Sequence, residues 1–306
     1  MLKLNIKPLF LSLRPQQWIK NLLLFSAIFF NEKLFDPYLL GLSFLAFLVF
    51  CGISSASYLF NDIVDLPLDK KHPLKKNRPL AAGKITLKQS TGMIVVLLVF
   101  ALGLAYILKF SLFLLSVFFV LLHVFYTLSF KKTAVLDLFS IATSFMLRIL
   151  GSEIITGYHL SVWLFLTIFF AALFIAAAKR HAELVKRGAN SRRALLQYEE
   201  KMLNFYVTTF ATLAIISYIL FAFLQPSLGY DSFLAQFFLS VSMPKMIERK
   251  WLLLSTPLFV FGISRYAQLV YLGKEGERPE KIISTDLWLV GSIAIWGVLM
   301  FVLLYL

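Results

Sequence analysis

Long apolar stretches separated by short polar segments run through the whole chain. A helix needs roughly 20 residues to cross a bilayer. By that measure nine segments are predicted to span a membrane, at about residues 16–35, 38–60, 90–108, 110–130, 135–155, 161–178, 203–225, 251–272 and 285–306. Lys20 and Asn21 interrupt the first, whereas Phe, Leu, Ile and Val dominate the others. The pattern therefore predicts an all-α polytopic membrane protein, folded as a single integral membrane domain over residues 1–306.

The composition agrees with lipid as the solvent of this chain. Hydrophobic residues make up 59% of the 306 residues and the mean hydropathy is +0.81, whereas soluble domains are about half apolar. The single cysteine, Cys51, lies in an apolar run, which excludes an intrachain disulfide and argues against a cysteine metal site. The formal charge of +14 fits contact with anionic lipids. Nucleic acid is not expected as a partner, because no separate soluble basic domain is present.

Basic residues alternate between the segments that connect the predicted spans. Of the 30 Lys and Arg residues, 24 fall on one side of the membrane and five on the other, with Arg148 inside a span. Such an excess marks the cytoplasmic side. The N-terminus is therefore predicted to be cytoplasmic and the C-terminus to lie outside, in a plasma membrane. The cytoplasmic loops are predicted at about residues 61–89, 131–134, 179–202 and 265–284.

An acidic cluster follows the second predicted span. Asp62, Asp65 and Asp69 are spaced i, i+3 and i+7, which on a helix puts them on one face within about 10 Å along the axis. Like charges repel unless a cation lies among them, and Mg²⁺ favours carboxylate oxygens and often binds substrate phosphates as well. We therefore expect a Mg²⁺–phosphate site at the membrane surface. The alternative interpretation is a solvated acidic helix end beside basic residues.

The fifth predicted span carries ionisable residues that lipid disfavours. Asp137 and Arg148 are 11 residues apart, close to three helical turns, so they share one face with Ser140 and Ser144. An aspartate at the mouth and an arginine deep inside could hold metal and phosphate respectively. The alternative is a structural ion pair between Arg148 and a neighbouring helix.

Other cations follow the same cytoplasmic pattern. Arg78 lies in a turn before the third span, and its planar fork suits bidentate phosphate binding. Lys131 and Arg180 could serve phosphates too, although both could be ordinary inner basic residues. Lys179 and Glu183 are four residues apart and could form a salt bridge at a solvated helix end. P-loop, GxGxxG and HExxH motifs do not occur, so nucleotide hydrolysis and zinc chemistry lack sequence support.

The acidic cluster and the turn after it resemble the first signature of the UbiA-type intramembrane prenyltransferases. The two motifs are Asn61-Asp62-x-x-Asp65-x-x-x-Asp69 and Asn77-Arg78-Pro79-Leu80-x-x-Gly83. The resemblance implies nine transmembrane helices around a central cavity, with cytoplasmic acidic motifs. Aromatic prenyltransferases of that family carry a second aspartate-rich motif, and here Asp137 and distant Arg148 occupy that region.

Several further segments resemble one branch of the family, the decaprenyl-phosphate phosphoribosyltransferases. They are Arg14-Pro15-x-Gln17-Trp18-x-Lys20-Asn21, Tyr126 with Lys131, Asp137 with Arg148, Lys179-Arg180-x-x-Glu183-Leu184, Arg265-Tyr266, Gly276-x-x-Pro279-Glu280 and Asp286. They cover nearly the whole chain. The branch implies Mg²⁺-dependent transfer of 5-phosphoribose from 5-phosphoribosyl diphosphate (PRPP) to a polyprenyl phosphate, with release of diphosphate, in the supply of a cell-wall precursor.

The resemblance also implies roles for individual residues. The metal ligands would be Asn61, Asp62, Asp65 and Asp69. The catalytic residues would be Asp62, Asp65, Asp137 and Lys131. The substrate-binding residues would be Lys20, Asn21, Arg78, Tyr126, Arg148, Lys179, Arg180 and Glu183. PRPP, polyprenyl phosphate and the lipid bilayer are then the partners, and an oligomer is left open.

Two other functions stay open at this point. One is transfer of an isoprenoid from its diphosphate to an aromatic or other acceptor, which uses the same Mg²⁺–diphosphate chemistry. The other is a lipid-phosphate carrier or transporter. Inverted repeats and broken helices would favour a transporter, and neither is convincing in this sequence.

Overall fold

The computed structural model describes residues 6–73, 75–188, 193–226, 233–272 and 285–306. Within these ranges the chain folds into helices, and no β-strand occurs. Eight helical segments in them are long and apolar enough to cross a membrane: Pro37–Val64, Leu87–Leu108, Phe110–Lys132, Leu136–Thr156, Val162–Lys186, Glu200–Leu224, Trp251–Tyr271 and Leu287–Tyr305. The prediction of an all-α polytopic membrane protein is confirmed.

The α-helices are numbered in chain order. They are α1 (Ile6–Ser12), α2 (Ser26–Phe30), α3 (Pro37–Val64), α4 (Leu66–Lys71), α5 (Leu87–Leu108), α6 (Phe110–Leu128), α7 (Leu136–Thr156), α8 (Val162–Arg187), α9 (Glu200–Leu224), α10 (Phe233–Ser240), α11 (Thr256–Tyr271) and α12 (Leu287–Tyr305). The 3₁₀-helices are Pro15–Phe25, Lys75–Asn77, Phe130–Lys132, Arg193–Gln197, Pro244–Met246 and Trp251–Ser255.

The first predicted span folds differently from the others. Residues Pro15–Phe25 form a 3₁₀-helix, and only Ser26–Phe30 continue as the short helix α2. A 3₁₀ run of this length is uncommon because its hydrogen-bond geometry is poorer than that of an α-helix. Asn21 lies within it and is fully buried, so one of the two polar residues that weakened the hydrophobic pattern faces the protein interior. Nine transmembrane helices around a central cavity stay a prediction.

The chain divides into two compact units, Met1–His159 and Leu160–Leu306. In the first unit, α3 and α7 are the most buried of the membrane-spanning helices, whereas α5 and α6 expose most of their apolar surface. A hydrophobic core cluster of this unit contains Leu24, Ala46, Val49, Phe50, Ile53, Ala101, Ala105, Leu112, Phe119, Leu147 and Ile155. The central position of α3 and α7 matters because these two helices carry the acidic cluster and Arg148.

Two glycines let neighbouring segments approach closely in the first unit. A Cβ added at Gly52 of α3 would lie 2.9 Å from the Cβ of Ala101 in α5. A Cβ added at Gly151 of α7 would lie 2.9 Å from Leu24 and 3.1 Å from the ring of Phe50. Small residues at such contacts are typical of membrane helices, whose association depends on close packing rather than on exclusion of water.

The helix that carries the acidic cluster breaks inside the cluster. α3 ends at Val64 and α4 begins at Leu66, and Asp65 is the cap residue of both. Pro67 explains the break, because a proline ring clashes with the carbonyl four residues earlier and cannot donate to it. Asp62 and Asp69 are therefore carried by two different helices rather than by one continuous helical face.

In the second unit, α8 packs along α9, and α11 packs along α12. Tyr218 of α9 lies at the centre of a buried polar group. Its hydroxyl accepts a hydrogen bond from Trp296 Nε1 at 2.6 Å and contacts Ser255 Oγ at 2.6 Å. Its ring stacks on Phe259, with the centroids 4.2 Å apart. Pro257 stands in the first turn of α11, directly after the 3₁₀-helix Trp251–Ser255.

Candidate active site

Asp62 and Asp69 are joined by one guanidinium group. Arg78 Nη1 donates to Asp62 Oδ1 at 3.0 Å and to Asp69 Oδ2 at 2.6 Å. Both carboxylates are buried, so neither is a solvent-exposed group at a helix end. The turn from α3 into α4 therefore brings together two acids that are seven residues apart, and the loop after α4 supplies the cation between them.

Asp62 has a second cationic partner from the N-terminal segment. Arg14 Nη2 also donates to Asp62 Oδ1, and the Arg14 guanidinium lies 5.1 Å from the ring centroid of Tyr58. The backbone of Arg14 is in the left-handed region, with φ 54° and ψ 59°. Non-glycine residues adopt this conformation only when surrounding contacts hold them there, and such residues cluster at functional sites.

Asp65 and Asn61 share a different cation. Lys131 Nζ donates to Asp65 Oδ1 at 2.6 Å and to Asn61 Oδ1 at 3.1 Å. Lys131 lies in the 3₁₀-helix that follows α6, so α6 and α3 meet here through polar groups. The predicted acidic cluster therefore forms two groups, Asp62 with Asp69 and Asn61 with Asp65. Among the described residues, no three His, Cys, Asp or Glu side chains are grouped closely enough to hold a metal ion by themselves.

Arg148 is fully enclosed within the first unit and is held by neutral groups. Its Nε donates to Asn21 Oδ1 at 2.8 Å, its Nη1 to the carbonyl of Ser144, and its Nη2 to Ser54 Oγ at 3.4 Å. The guanidinium also lies over the ring of Phe119, 4.8 Å from the centroid. In the described part of the chain no carboxylate pairs with it. These contacts therefore do not show the alternative interpretation, a structural ion pair between Arg148 and a neighbouring helix.

The polar stripe predicted on α7 faces the protein interior. Asp137, Ser140, Ser144 and Arg148 are all buried. Asp137 belongs to the first turn of α7, two residues after Val135, whose backbone is also unusual with φ 67° and ψ −50°. The spacing argument for one buried polar face is therefore confirmed by the burial of these four side chains.

Asn21 and Lys20 differ in their surroundings. Asn21 is buried, and its Nδ2 donates to Cys51 Sγ at 3.3 Å while its Oδ1 accepts from Arg148. It therefore orients Arg148 by bonding the guanidinium directly. Lys20 is half-buried and makes no hydrogen bond or ion pair with the residues that the structure describes. Tyr126, in the last turn of α6, is also half-buried.

The remaining predicted residues lie in the second unit. Lys179, Arg180 and Glu183 belong to α8. Arg180 is buried, and its Nη1 donates to Glu183 Oε2 at 2.6 Å. Lys179 precedes this pair in the same helix. Arg265 forms a two-pronged ion pair with Asp286 at the start of α12, with Nε–Oδ1 and Nη2–Oδ2 distances of 3.1 and 2.8 Å. Gly276, Pro279 and Glu280 lie outside the described residues.

The family follows from a match that covers most of the chain. Residues 22–277 match the UbiA prenyltransferase family. The chain belongs to this family. The resemblance drawn from the acidic signature is thereby confirmed, and this UbiA-family chain is an enzyme of the prenyltransferase superfamily.

Curated relatives of this UbiA-family chain carry the name decaprenyl-phosphate phosphoribosyltransferase. The protein of that name from Corynebacterium glutamicum is 32% identical over 288 residues, which is 90% of this chain and 80% of that protein. The one from Mycobacterium tuberculosis is 32% identical over 282 residues, 90% of this chain and 87% of that protein.

Solved structures share the UbiA fold at lower identity. A UbiA homologue from Archaeoglobus fulgidus, solved with GPP and Mg²⁺ bound, has a TM-score of 0.67 and 18% identity, covering 94% of this chain and 95% of that one. A digeranylgeranylglyceryl phosphate synthase structure has a TM-score of 0.64 and 19% identity, with 98% of both chains covered. At these identities the likeness establishes the fold alone.

The donor set of the acidic cluster fits a hard divalent cation. Asn61, Asp62, Asp65 and Asp69 offer amide and carboxylate oxygens, the ligand type that Mg²⁺ prefers. In the described part of the chain, Asp62 uses only Oδ1 and Asp69 only Oδ2 in hydrogen bonds. Each carboxylate thus keeps one oxygen for a further ligand.

Sequence reasoning missed Arg14 as a site residue, although it stands in the N-terminal segment that resembles the family. The contact joins residues 48 positions apart, so no local spacing could reveal it. The available signal was an arginine directly before a proline, at the start of the N-terminal segment that resembles the family.

Proposed function

We propose that this protein transfers 5-phosphoribose from PRPP to a polyprenyl phosphate and releases diphosphate, in a reaction that requires Mg²⁺. The observation that carries the proposal is the environment of Arg148. A buried guanidinium with no carboxylate partner among the described residues is a costly charge that a phosphate anion would stabilise. Lys20, which likewise has no described partner, adds a second cation in the same unit. The names of the curated relatives support the same reaction.

The reaction joins two phosphorylated substrates. An oxygen of the lipid phosphate forms a bond to C1 of the ribose as the bond between C1 and the diphosphate oxygen breaks. The lipid phosphate is already ionised near neutral pH, so no general base is required. Catalysis then depends on positioning the reactants and on neutralising the charge that develops on the leaving diphosphate.

The acidic cluster is proposed to hold the metal. Asn61, Asp62, Asp65 and Asp69 would bind Mg²⁺, which when bound acts as a Lewis acid on the oxygens of the leaving diphosphate. Asp137 would complete the ligand set or steady the ribose. Lys131, now bonded to Asp65 and Asn61, would bring a positive charge to the same group.

Cations are proposed to bind the three phosphate groups that the reaction brings together, namely the diphosphate, the 5-phosphate and the lipid phosphate. The residues concerned are Lys20, Arg78, Arg148, Lys179 and Arg180, with Asn21, Tyr126 and Glu183 as supporting polar contacts. Arginine forks match phosphate oxygens in pairs, which suits Arg78 and Arg148 for direct contacts.

The site is proposed to face the cytoplasm of a plasma membrane, with the N-terminus on the same side and the C-terminus outside. The excess of basic residues in the inner loops supports this orientation. PRPP is water-soluble and the polyprenyl phosphate is held in lipid, so a site at the membrane surface is accessible to both.

One competing function is tested in the same experiment, because a solved structure with this fold has a prenyl diphosphate bound. It is transfer of an isoprenoid from its diphosphate to an aromatic or other acceptor. The experiment gives the purified protein in lipid nanodiscs labelled PRPP with decaprenyl phosphate in one reaction, and labelled geranyl diphosphate with 4-hydroxybenzoate in another. Product is extracted into organic solvent and counted.

We expect labelled lipid only in the reaction with PRPP, and we expect EDTA to abolish it. The matched control is Glu248→Gln, which neutralises an exposed carboxylate in the second unit and should behave as the wild type. Product only from geranyl diphosphate would replace the proposed function with the competing one.

A further inference from the structure

The carboxylates of the acidic cluster and the cations that surround them neutralise one another. Three carboxylates, Asp62, Asp65 and Asp69, are paired with three cations, Arg14, Arg78 and Lys131. A divalent cation that approached alone would have to compete with guanidinium groups for Asp62 and Asp69. A diphosphate that approached alone would have to compete with carboxylates for the same guanidinium groups. Each ligand by itself would add an uncompensated charge to a buried site whose charges are already paired, which is unfavourable.

The two ligands together can exchange partners with the protein instead. In the described contacts Arg14 uses only Nη2 and Arg78 only Nη1. Each guanidinium keeps its other nitrogens for phosphate oxygens, just as Asp62 and Asp69 each keep one oxygen for a metal. When both ligands are present, every charge that leaves an ion pair gains a new partner of opposite sign.

Arg14 is the residue on which this exchange depends most. Arg78 bridges two carboxylates, whereas Asp62 is the only ionic partner of Arg14 among the described residues. The left-handed backbone of Arg14 and the contact of its guanidinium with Tyr58 hold the side chain at this point. Passing the guanidinium from the carboxylate to a phosphate then requires a movement of the Arg14 side chain alone.

We propose that Arg14 is a switching residue that couples the binding of a divalent cation to the binding of a diphosphate group. Arg14 competes with the cation for Asp62 when no diphosphate is present, and it binds the diphosphate once Asp62 holds the cation. The inference rests on the metal site of the proposed function, and it assigns to Arg14 a role that is independent of the acceptor.

The coupling has a signature that a merely structural role would not produce. Removal of the Arg14 charge should tighten the binding of a cation alone, because a competitor for Asp62 is gone. The same change should weaken the binding of diphosphate in the presence of the cation, because a phosphate ligand is gone. A variant that only disturbed the fold would weaken both.

The experiment uses the full-length protein in lipid nanodiscs with two probes. Electron paramagnetic resonance measures the affinity for Mn²⁺ alone, and retention of radiolabelled inorganic pyrophosphate is measured with Mn²⁺ or with EDTA. For Arg14→Gln we expect about tenfold tighter Mn²⁺ binding and about tenfold weaker pyrophosphate binding with Mn²⁺, within the usual range of coupling between sites. Arg78→Gln should shift both affinities in the same directions and serves as the second variant if Arg14→Gln does not fold.

Arg249→Gln, at an exposed arginine of the second unit, is the matched control and should leave both affinities unchanged. Unchanged Mn²⁺ affinity in both Arg14→Gln and Arg78→Gln would reject the exchange of partners. Equal pyrophosphate binding by the wild type with Mn²⁺ and with EDTA would reject the coupling while leaving the metal site intact. Failure of the wild type to bind Mn²⁺, both alone and in the presence of pyrophosphate, would reject the metal site of the proposed function, and the coupling with it.

Discussion

At the scale of single residues, the first unit contains two kinds of buried charge. Asp62 and Asp69 are buried with cationic partners, whereas Arg148 is buried among neutral oxygens and an aromatic ring. A charge in an ion pair can exchange its partner for a ligand, while a charge without an ionic partner attracts a ligand of opposite sign. The two kinds of residue should therefore respond differently to substitution.

Asp62→Asn and Asp65→Asn should each lower turnover by at least about a hundredfold, because lost electrostatic stabilisation at a reacting centre commonly has an effect of that size. Asparagine keeps the size and one oxygen of the side chain, so the fold should persist. The measurement is the rate of labelled-lipid formation from PRPP, with Glu248→Gln as the exposed control. Near-wild-type turnover in both variants would put the metal elsewhere.

Arg148→Lys should raise the apparent KM for PRPP, because lysine keeps the charge but loses the paired geometry of the fork. Arg148→Ala should raise it further, by about ten- to hundredfold, the usual range for a lost hydrogen bond to a charged group. The melting temperature of Arg148→Lys in detergent should change little, since lysine keeps the charge and most of the volume and leaves no carboxylate of the described residues unpaired. A large drop in melting temperature with an unchanged KM would make Arg148 structural.

At the scale of elements, the turn into α7 is strained. Val135 has φ 67° and ψ −50°, and the amide of Leu136 donates to the carbonyl of Ala134 at 2.8 Å. This is a γ-turn of the rare, strained hand, and its central residue is β-branched, for which positive φ is an outlier. The turn lies between Lys131 and Asp137, so the strain is stored where the predicted site needs a fixed geometry.

Val135→Gly should therefore raise the free energy of unfolding, by up to about 1 kcal/mol, because glycine adopts positive φ without strain. The matched control is Val99→Gly at an exposed position of α5, where the same substitution should lower stability by about 1 kcal/mol. Thermal unfolding of both variants in detergent measures the effect. A loss of stability of equal size in the two variants would argue against strain at Val135.

At the scale of the whole molecule, orientation in the membrane is open to a direct measurement. The chain has one cysteine, Cys51, which is buried, so single cysteines can be introduced against a low background. In intact cells, a membrane-impermeant maleimide should label Ser242→Cys but not Lys84→Cys, and permeabilisation should expose Lys84→Cys. The basic residues of the inner loops are the reason for this expectation. Labelling of both variants in intact cells would contradict the predicted topology.

Hydropathy predicted eight of the helical spans because lipid forces each apolar segment to satisfy its own backbone hydrogen bonds. It was less informative about residues 16–35, where Lys20 and Asn21 belong to a 3₁₀-helix. The buried polar face of α7 was predictable because helical periodicity alone puts Asp137 and Arg148 on one side. The break at Asp65 could have been read from Pro67, but the spacing of the acids suggested one continuous face.

The sequence by itself determined the class of the fold, the positions of most spans and the residue types of the site, since these depend on local composition and on helical period. Only the tertiary structure decided the partners. Arg14 reaches Asp62 across 48 residues, Lys131 reaches Asp65 across 66, and Asn21 holds Arg148 across 127. Such contacts depend on how helices pack in three dimensions, and no spacing along a single chain carries that information.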